Sequence, residues 1–125
     1  MHWQQGYKNS WETAAILYKN QRYSDCLFYC HLSLEKLLKA IYVFKHKQHS
    51  PFIHDLVILA EKSGIELTKR QLEDLEIITT FNIAGRYAEI KSQFYKSCNN
   101  KNTAKKYYNI TEDLLKCLKK FLIKK

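Results

Sequence analysis

Apolar side chains recur at every third or fourth position in five segments of the chain, which is the spacing that lines one face of an α-helix. The first segment carries Trp3, Trp11 and Tyr18. The second runs from about residue 24 to about residue 45 and is the longest, with Ser24 predicted as its N-cap. The core positions predicted for these two helices are Trp3, Tyr7, Trp11, Ala14, Tyr18, Cys26, Leu27, Cys30, Leu34, Leu37, Leu38 and Ile41.

Turn-forming and capping residues divide the rest of the chain. Residues 46–52 are polar and include the only proline, which predicts a loop. A third helix follows with Asp55 in its first turn, and Gly64 is suited to end it in the left-handed conformation. Thr68 and Gln71 have the spacing of a capping box that opens a fourth helix. The inward positions of the remaining helices are Leu56, Leu59 and Ala60, then Leu72, Leu75, Ile78 and Phe81, and, from about Thr103, Tyr107, Ile110, Leu114, Leu118 and Phe121.

The composition agrees with helices joined by short links. Gly occurs 3 times and Pro once in 125 residues, too few for a sheet with many tight turns. The length suits one domain, so we expect residues 1–125 to form a single all-α domain, an antiparallel up-and-down bundle of four to five helices. No apolar run approaches a membrane span and the first residues do not resemble a signal peptide, so a cytoplasmic protein is expected.

Positive charge dominates, with a formal net charge of +9 that is concentrated near the end of the chain. Residues 91–125 hold ten lysines and two acidic residues. This asymmetry favours an acidic partner, such as RNA, a nucleotide or an acidic protein surface. The alternative is a solvated lysine face that only keeps the protein in solution.

Cysteines and histidines that lie close together in the sequence are candidates for metal or redox sites. Cys26 and Cys30 are one helical turn apart on the leucine stripe, which favours two buried thiols over a ligand pair. His46, His49 and His54 surround the predicted loop but lack a fourth ligand at suitable spacing. We therefore predict no metal site and no cofactor.

Charged residues also interrupt the most apolar helix. Glu35, Lys36 and Lys39 are expected at the edge of the leucine stripe, paired or with their charges reaching water, unless they face a cleft. His54 beside Asp55 suggests an acid–base pair, but neighbouring residues on a helix point in different directions. The alternative for His54 is a hydrogen bond at the start of a helix.

The segment after the fourth helix combines a glycine, an arginine and an aromatic residue. Arg86 and Tyr87 follow Asn82 closely, and such a pair can hold a phosphate and stack on a base. The alternative is a structural arginine that joins two helices through backbone carbonyls.

Four short segments, in this order, resemble the HEPN family (higher eukaryote and prokaryote nucleotide-binding). They are Trp11 with Ala14-Ala15, the run from Cys30 to Ala40 that ends Glu35-Lys36-Leu37-Leu38-Lys39-Ala40, His54-Asp55-Leu56 with Leu59, and Ala84-Gly85-Arg86-Tyr87. The resemblance covers nearly the whole chain. It implies an antiparallel helical bundle that often forms a homodimer with a cleft at the interface. It also implies a small nucleotidyltransferase as partner, in a toxin–antitoxin pair.

Toxic members of that family are ribonucleases with an Arg-x₄₋₆-His motif, and this sequence departs from it. None of its arginines, Arg22, Arg70 and Arg86, is followed by a histidine after four to six intervening residues. We therefore expect a module that binds a nucleotide, RNA or a nucleotidyltransferase without that ribonuclease motif. The predicted ligand-binding residues are Arg86, Tyr87, Asn82, Lys36 and His54.

Two other functions stay open. One is a metal-independent ribonuclease that recruits a distant histidine such as His31 or His54. The other is a helical adaptor for protein contacts, in which Trp3, Tyr7 and Tyr95 form the interface.

Overall fold

The computed structural model describes residues 2–82, 93, 96 and 100–122. All regular structure among them is helical, which confirms the predicted all-α bundle. None of the described helices is long and apolar enough to cross a membrane. The helices are α1 (His2–Lys19), α2 (Tyr23–His46), α3 (Leu56–Lys62), α4 (Lys69–Thr79) and α5 (Lys101–Leu118), with a 3₁₀ turn at Lys119–Leu122.

Helices α1 and α2 form an antiparallel hairpin across the link of residues 20–22. Trp3 at the start of α1 lies beside Lys39 near the end of α2, whereas Tyr18 meets Tyr23 at the link. Within the link, Gln21 lies in the left-handed region (φ 63°). Helix α2 starts at Tyr23, so the prediction that Ser24 caps it is wrong, and Ser24 is instead buried in the first turn.

Helix α5 packs against both helices of this hairpin. The ring of Tyr108 stacks on Trp11 and on Tyr18, with 4.7 Å between ring centroids in each pair. Further along, Phe121 lies 5.8 Å from the Lys45 ammonium. The C-terminal helix therefore runs antiparallel to α1 and in the direction of α2.

The core is the leucine-rich face of α2 together with the inner faces of the other helices. Most of the predicted positions are buried, including Leu56, Leu75 and Leu118, each with no exposed surface. Leu72 is the exception among the aliphatic positions of α4, because it lies half-exposed toward α3. Helix α2 thus contributes the central layer on which the other elements pack.

Local capping residues place the ends of α3, α4 and α5. Asp55, predicted in the first turn of α3, is the N-cap that precedes it, and its Oδ1 accepts a hydrogen bond from the Ile58 N–H at 3.0 Å. Gly64 follows α3 with φ 71°, as predicted from its C-cap role. The capping box of Thr68 and Gln71 is present in full. Asn100 caps α5, which begins at Lys101, slightly earlier than predicted.

Candidate functional site

A buried ion pair lies on the most apolar helix. Glu35 and Lys39 are one turn apart on α2, and the Lys39 Nζ donates to Glu35 Oε2 at 2.9 Å. Only 5% of Glu35 and 4% of Lys39 is exposed. The expectation that these residues would be paired is confirmed, but their charges do not reach water. A buried pair surrounded by leucines must satisfy its remaining hydrogen-bonding groups inside the protein.

The Glu35 carboxylate also accepts a hydrogen bond from His54. Its Nδ1 donates to Glu35 Oε2 at 2.9 Å, although the imidazole is 61% exposed. An ionised carboxylate only accepts hydrogen bonds, so Nδ1 carries the proton. In the neutral ring Nε2 is then the acceptor. Glu35, Lys39 and His54 form what we call the Glu35 cluster, a surface imidazole held by a buried ion pair.

His31 fixes the backbone of the same residue. It is completely buried on α2, and its Nε2 donates to the His54 carbonyl oxygen at 3.0 Å. The same nitrogen lies 3.6 Å from Glu35 Oε1. His54 is thereby held through its side chain by one α2 residue and through its backbone by another. With no exposed surface, His31 itself cannot contact a ligand.

Trp3 joins the Glu35 cluster to a groove on the surface. The Lys39 ammonium lies 5.2 Å from the centre of the Trp3 ring, within cation–π distance. Trp3 also forms part of a groove of about 790 Å³ between the start of α1, the end of α2 and the following loop. The residues lining this aromatic groove are Trp3, Gln4, Ala40, Val43, Phe44, Lys47, Gln48, His49, Ser50 and Phe52.

The predicted site residues lie in different places. Lys36 is half-buried, its Nζ donates to Ser10 Oγ at 3.0 Å, and its chain passes close to Gly6. It therefore joins α1 to α2, apart from the Glu35 cluster. Arg86 and Tyr87 lie outside the described residues.

Asn82 lies at the end of the bundle that carries His54. Its N–H donates to the Thr79 carbonyl at 3.1 Å. The Thr79 hydroxyl in turn accepts from the Leu56 N–H at 3.1 Å, two residues after His54. The half-buried Asn82 therefore follows the end of α4, close to the start of α3.

The cysteine pair is part of the core, as predicted. Cys26 and Cys30 are completely buried in a small cluster with Ala14. A hydrogen bond with Cys26 and then burial raise the pKa of the Cys30 thiol well above its usual value, while the Thr111 hydroxyl acts in the opposite direction. A thiol that is hard to ionise is a poor nucleophile and a poor metal ligand.

Two further candidate residues, His46 and Tyr7, have structural roles. His46 Nε2 donates to the Lys62 carbonyl at 3.0 Å and so joins the ends of α2 and α3. Over residues 2–82, 93, 96 and 100–122, no three His, Cys, Asp or Glu side chains are placed to hold a metal ion. Tyr7, expected at an adaptor interface, is instead 9% exposed and belongs to the core, while Tyr95 lies outside the described residues.

The aromatic groove was not predicted as a site from the sequence. Trp3 and Phe52 are 49 positions apart, and they line one groove because α1 packs against α2 and the loop after α2 returns over it. A local signal existed in Phe52, a large apolar residue in an otherwise polar loop. Its side chain is fully exposed in the structure.

Comparison with known proteins gives one family. The family model described as the HEPN domain matches residues 3–121, nearly the whole chain. No curated protein and no solved structure matches the chain.

Proposed function

The chain belongs to the HEPN domain family, and from this premise we propose that it is a helical module that binds RNA or a nucleotide. The observation that carries the proposal is the His54 imidazole, exposed to solvent yet held at Nδ1 by the buried Glu35 carboxylate. Preorganised polar groups at a surface are suited to bind phosphate oxygens or ribose hydroxyls, because little freedom is lost on binding.

The sequence supplies the remaining ligand-binding groups of the proposal. Arg86 would hold a phosphate through its planar fork of donors, Tyr87 would stack on a base, and Asn82 would add an amide. Lys36, whose Nζ donates to Ser10 on α1, stays in the proposal as a cation on α2 that the sequence predicted. The formal net charge of +9 supports an anionic ligand.

In this proposal the protein binds RNA or a nucleotide and does not cleave RNA by the family's usual chemistry. General acid–base cleavage of RNA needs a group that titrates near neutral pH beside the arginine. No arginine of this chain is followed by a histidine after four to six intervening residues. Formation of a homodimer, and of a complex with a small nucleotidyltransferase in a toxin–antitoxin pair, completes the proposal and rests on the family alone.

Binding can be tested by fluorescence anisotropy with a labelled ten-nucleotide single-stranded RNA, and by calorimetry with ATP and GTP. Arg86→Ala and His54→Ala are each expected to weaken binding about tenfold or more, the loss of one hydrogen bond to a charged group. Arg70→Ala is the matched control, because Arg70 is exposed and pairs only loosely with Asp74, at 3.7 Å. It should bind as the wild type does.

Two results would contradict the proposal. One is a wild-type protein that binds neither RNA nor nucleotide at low salt. The other is an affinity that falls equally in Arg70→Ala and Arg86→Ala, because then only net charge matters. If Arg86 contacts a phosphate, Arg86→Ala should instead make binding less dependent on salt. The slope of log K against the logarithm of the salt concentration should become smaller in magnitude by slightly less than one.

A second function is favoured by the Nδ1 contact of His54. A carboxylate that holds one imidazole nitrogen leaves the other as a proton acceptor, which is the arrangement of a general base. In a metal-independent ribonuclease, His54 Nε2 would take the proton of a ribose 2′-hydroxyl. The 2′-oxygen would bond to phosphorus, the bond to the 5′-oxygen would break, and that oxygen would take a proton from water.

Cleavage of RNA in the presence of EDTA tests this second function. It predicts a 2′,3′-cyclic phosphate product that disappears in His54→Ala and remains in Arg70→Ala. Wild-type protein that leaves RNA intact after prolonged incubation would exclude it and would leave the binding proposal in place.

A further inference from the structure

The aromatic groove has the size and lining of a ligand site. Its volume of about 790 Å³ falls within the roughly 300–1,000 Å³ of small-molecule pockets. Trp3 from α1, Phe44 from α2 and Phe52 from the loop give it three aromatic side chains. A planar ring is the ligand that aromatic faces bind best, because stacking covers the whole area of both rings.

The charges around the groove favour an anionic ligand. Lys47 and His49 are the ionisable groups among its described lining residues, so no carboxylate is present there to repel a phosphate. The Lys47 ammonium lies 5.1 Å from the centre of the Phe44 ring, beside the aromatic wall. The carbonyls at the end of α2 carry partial negative charge, which Lys45 and His46 in the last turn offset.

The backbone conformation of Lys47 places this cation at the end of α2. Lys47 ends α2 with φ 57° and ψ 34°, in the left-handed region where glycine is the usual residue. A side chain at this position is disfavoured by its own backbone, and here that side chain is a cation at a groove.

We propose that the aromatic groove binds the base of one nucleotide, with its phosphate on Lys47 and His49. This inference rests on the proposed binding of RNA or a nucleotide and adds a site built from residues other than Arg86 and Tyr87. The groove borders the Glu35 cluster, because Trp3 lines the groove and covers the Lys39 ammonium of that cluster, and Phe52 precedes His54 by two residues. One nucleotide of an RNA strand in the groove would therefore place its neighbour near His54.

Trp3 provides a direct signal for this site. The chain has two tryptophans, so Trp11→Phe leaves Trp3 as the single one while keeping an aromatic ring against Tyr108. AMP and UMP are expected to quench the Trp3 fluorescence of this variant at saturating concentrations. Ribose 5-phosphate, which carries the phosphate but no base, should not quench it at tenfold higher concentration.

Two substitutions separate binding from folding. Phe52→Ser changes a fully exposed side chain, so stability should be retained while affinity for AMP falls about tenfold or more. Lys47→Gly removes the cation and relieves the left-handed backbone, so thermal stability should be retained or raised while affinity falls. Ile16→Ser is the matched control, an exposed apolar residue on α1 away from the groove, and should bind AMP normally.

The outcomes distinguish this inference from the proposed function. Suppose RNA binds the wild type and depends on Arg86 and His54, but Phe52→Ser and Lys47→Gly bind it normally. The groove assignment is then wrong and the proposed function stands. Loss of RNA and AMP binding in both groove variants supports the inference for RNA and free nucleotide alike, and AMP loss alone limits it to the free nucleotide. A change in sedimentation of the variants with no change in nucleotide affinity would identify the groove as a protein interface and overturn the inference.

Discussion

Removal of one charge from the buried pair on α2 should unfold the protein far more readily than removal of an exposed charge. In Glu35→Gln the amide oxygen can still accept from Lys39 and from His54 at the position of Oε2. The hydrogen bonds are then kept and the negative charge is lost, so Lys39 remains buried without a counter-ion. Lys39→Met makes the opposite change and leaves the Glu35 carboxylate uncompensated.

The magnitude follows from distance and burial. Two unit charges 2.9 Å apart attract each other by about 6 kcal/mol at an effective dielectric constant of about 20. Much of that attraction only offsets the cost of removing both charges from water. Loss of one partner leaves the other's cost unopposed, about 3–5 kcal/mol. For a chain of this size that corresponds to a fall in Tm of about 10–20 °C.

The double variant Glu35→Gln/Lys39→Met tests whether the two effects are coupled. It buries no charge, so it should be more stable than either single variant, with a coupling energy of about 2 kcal/mol or more. Urea denaturation followed by circular dichroism gives the three free energies of unfolding.

Arg22 and Asp25 offer a matched control at the surface. Their contact is also 2.9 Å, but the Arg22 side chain is 68% exposed. Arg22→Met should therefore cost no more than about 1 kcal/mol. If Glu35→Gln and Lys39→Met cost as little, or if their effects simply add in the double variant, then burial does not control the strength of this pair and the argument is refuted.

Three further predictions concern single residues. The hydrogen bond with Cys26 and then burial raise the pKa of Cys30 in the folded protein above the ordinary 9.0. As the pH rises, the unfolded chain therefore loses the thiol proton at a lower pH than the folded protein does. Stability from this thiol is complete below pH of about 9 and falls as the pH rises through that value, and urea denaturation at pH 8 and 9.5 should show a smaller fall in Cys30→Ala. Gly64→Ala should cost about 1–2 kcal/mol from backbone strain alone, because no atom lies within 4 Å of the added Cβ, and Gly64→Asn should cost less. Thr68→Ala should cost about 1 kcal/mol in thermal denaturation, and similar stability of Thr68→Ala and Thr68→Ser would contradict the role of the capping box.

The sequence predicts best those features whose causes lie within one helical turn. The capping box of Thr68 and Gln71 is complete within four residues, so its spacing alone identifies the start of α4. Gly64 is placed correctly for the same reason. Ser24 is not an N-cap because the left-handed Gln21 turns the chain so that the Arg22 carbonyl accepts the Cys26 N–H. That turn depends on how α1 and α2 pack, which local spacing does not reveal.

The candidate site depends on contacts between residues that are distant in the chain. Glu35, Lys39 and His54 can each be recognised as unusual from the sequence, but Glu35 and His54 are 19 positions apart. Their contact exists because the loop of residues 47–55 returns over α2. The aromatic groove depends on the same return, since it brings Phe52 to a helix that already packs against Trp3. Helical periodicity carries no information about such a loop.

The two lysines three positions apart on α2 illustrate this limit. Lys36 donates to Ser10 on α1, whereas Lys39 donates to Glu35 within α2. A step of three residues turns a helix by about 300°, so their side chains diverge by about 60°. That angle is enough to give one lysine a half-exposed place between helices and the other a buried place beside the site.

A loop lying over a face of leucines has little to fix its position, because apolar contacts are not directional. The polar residues of α2 supply that direction. Glu35 holds the His54 ring and His31 holds the His54 carbonyl, so a shift of the loop by one residue would break both hydrogen bonds, each of which is made by a buried side chain of α2. The buried charges therefore select one loop position out of several that apolar packing would allow. This selection costs desolvation free energy, and its result is an imidazole presented at the surface in one orientation with one tautomer, next to an aromatic groove.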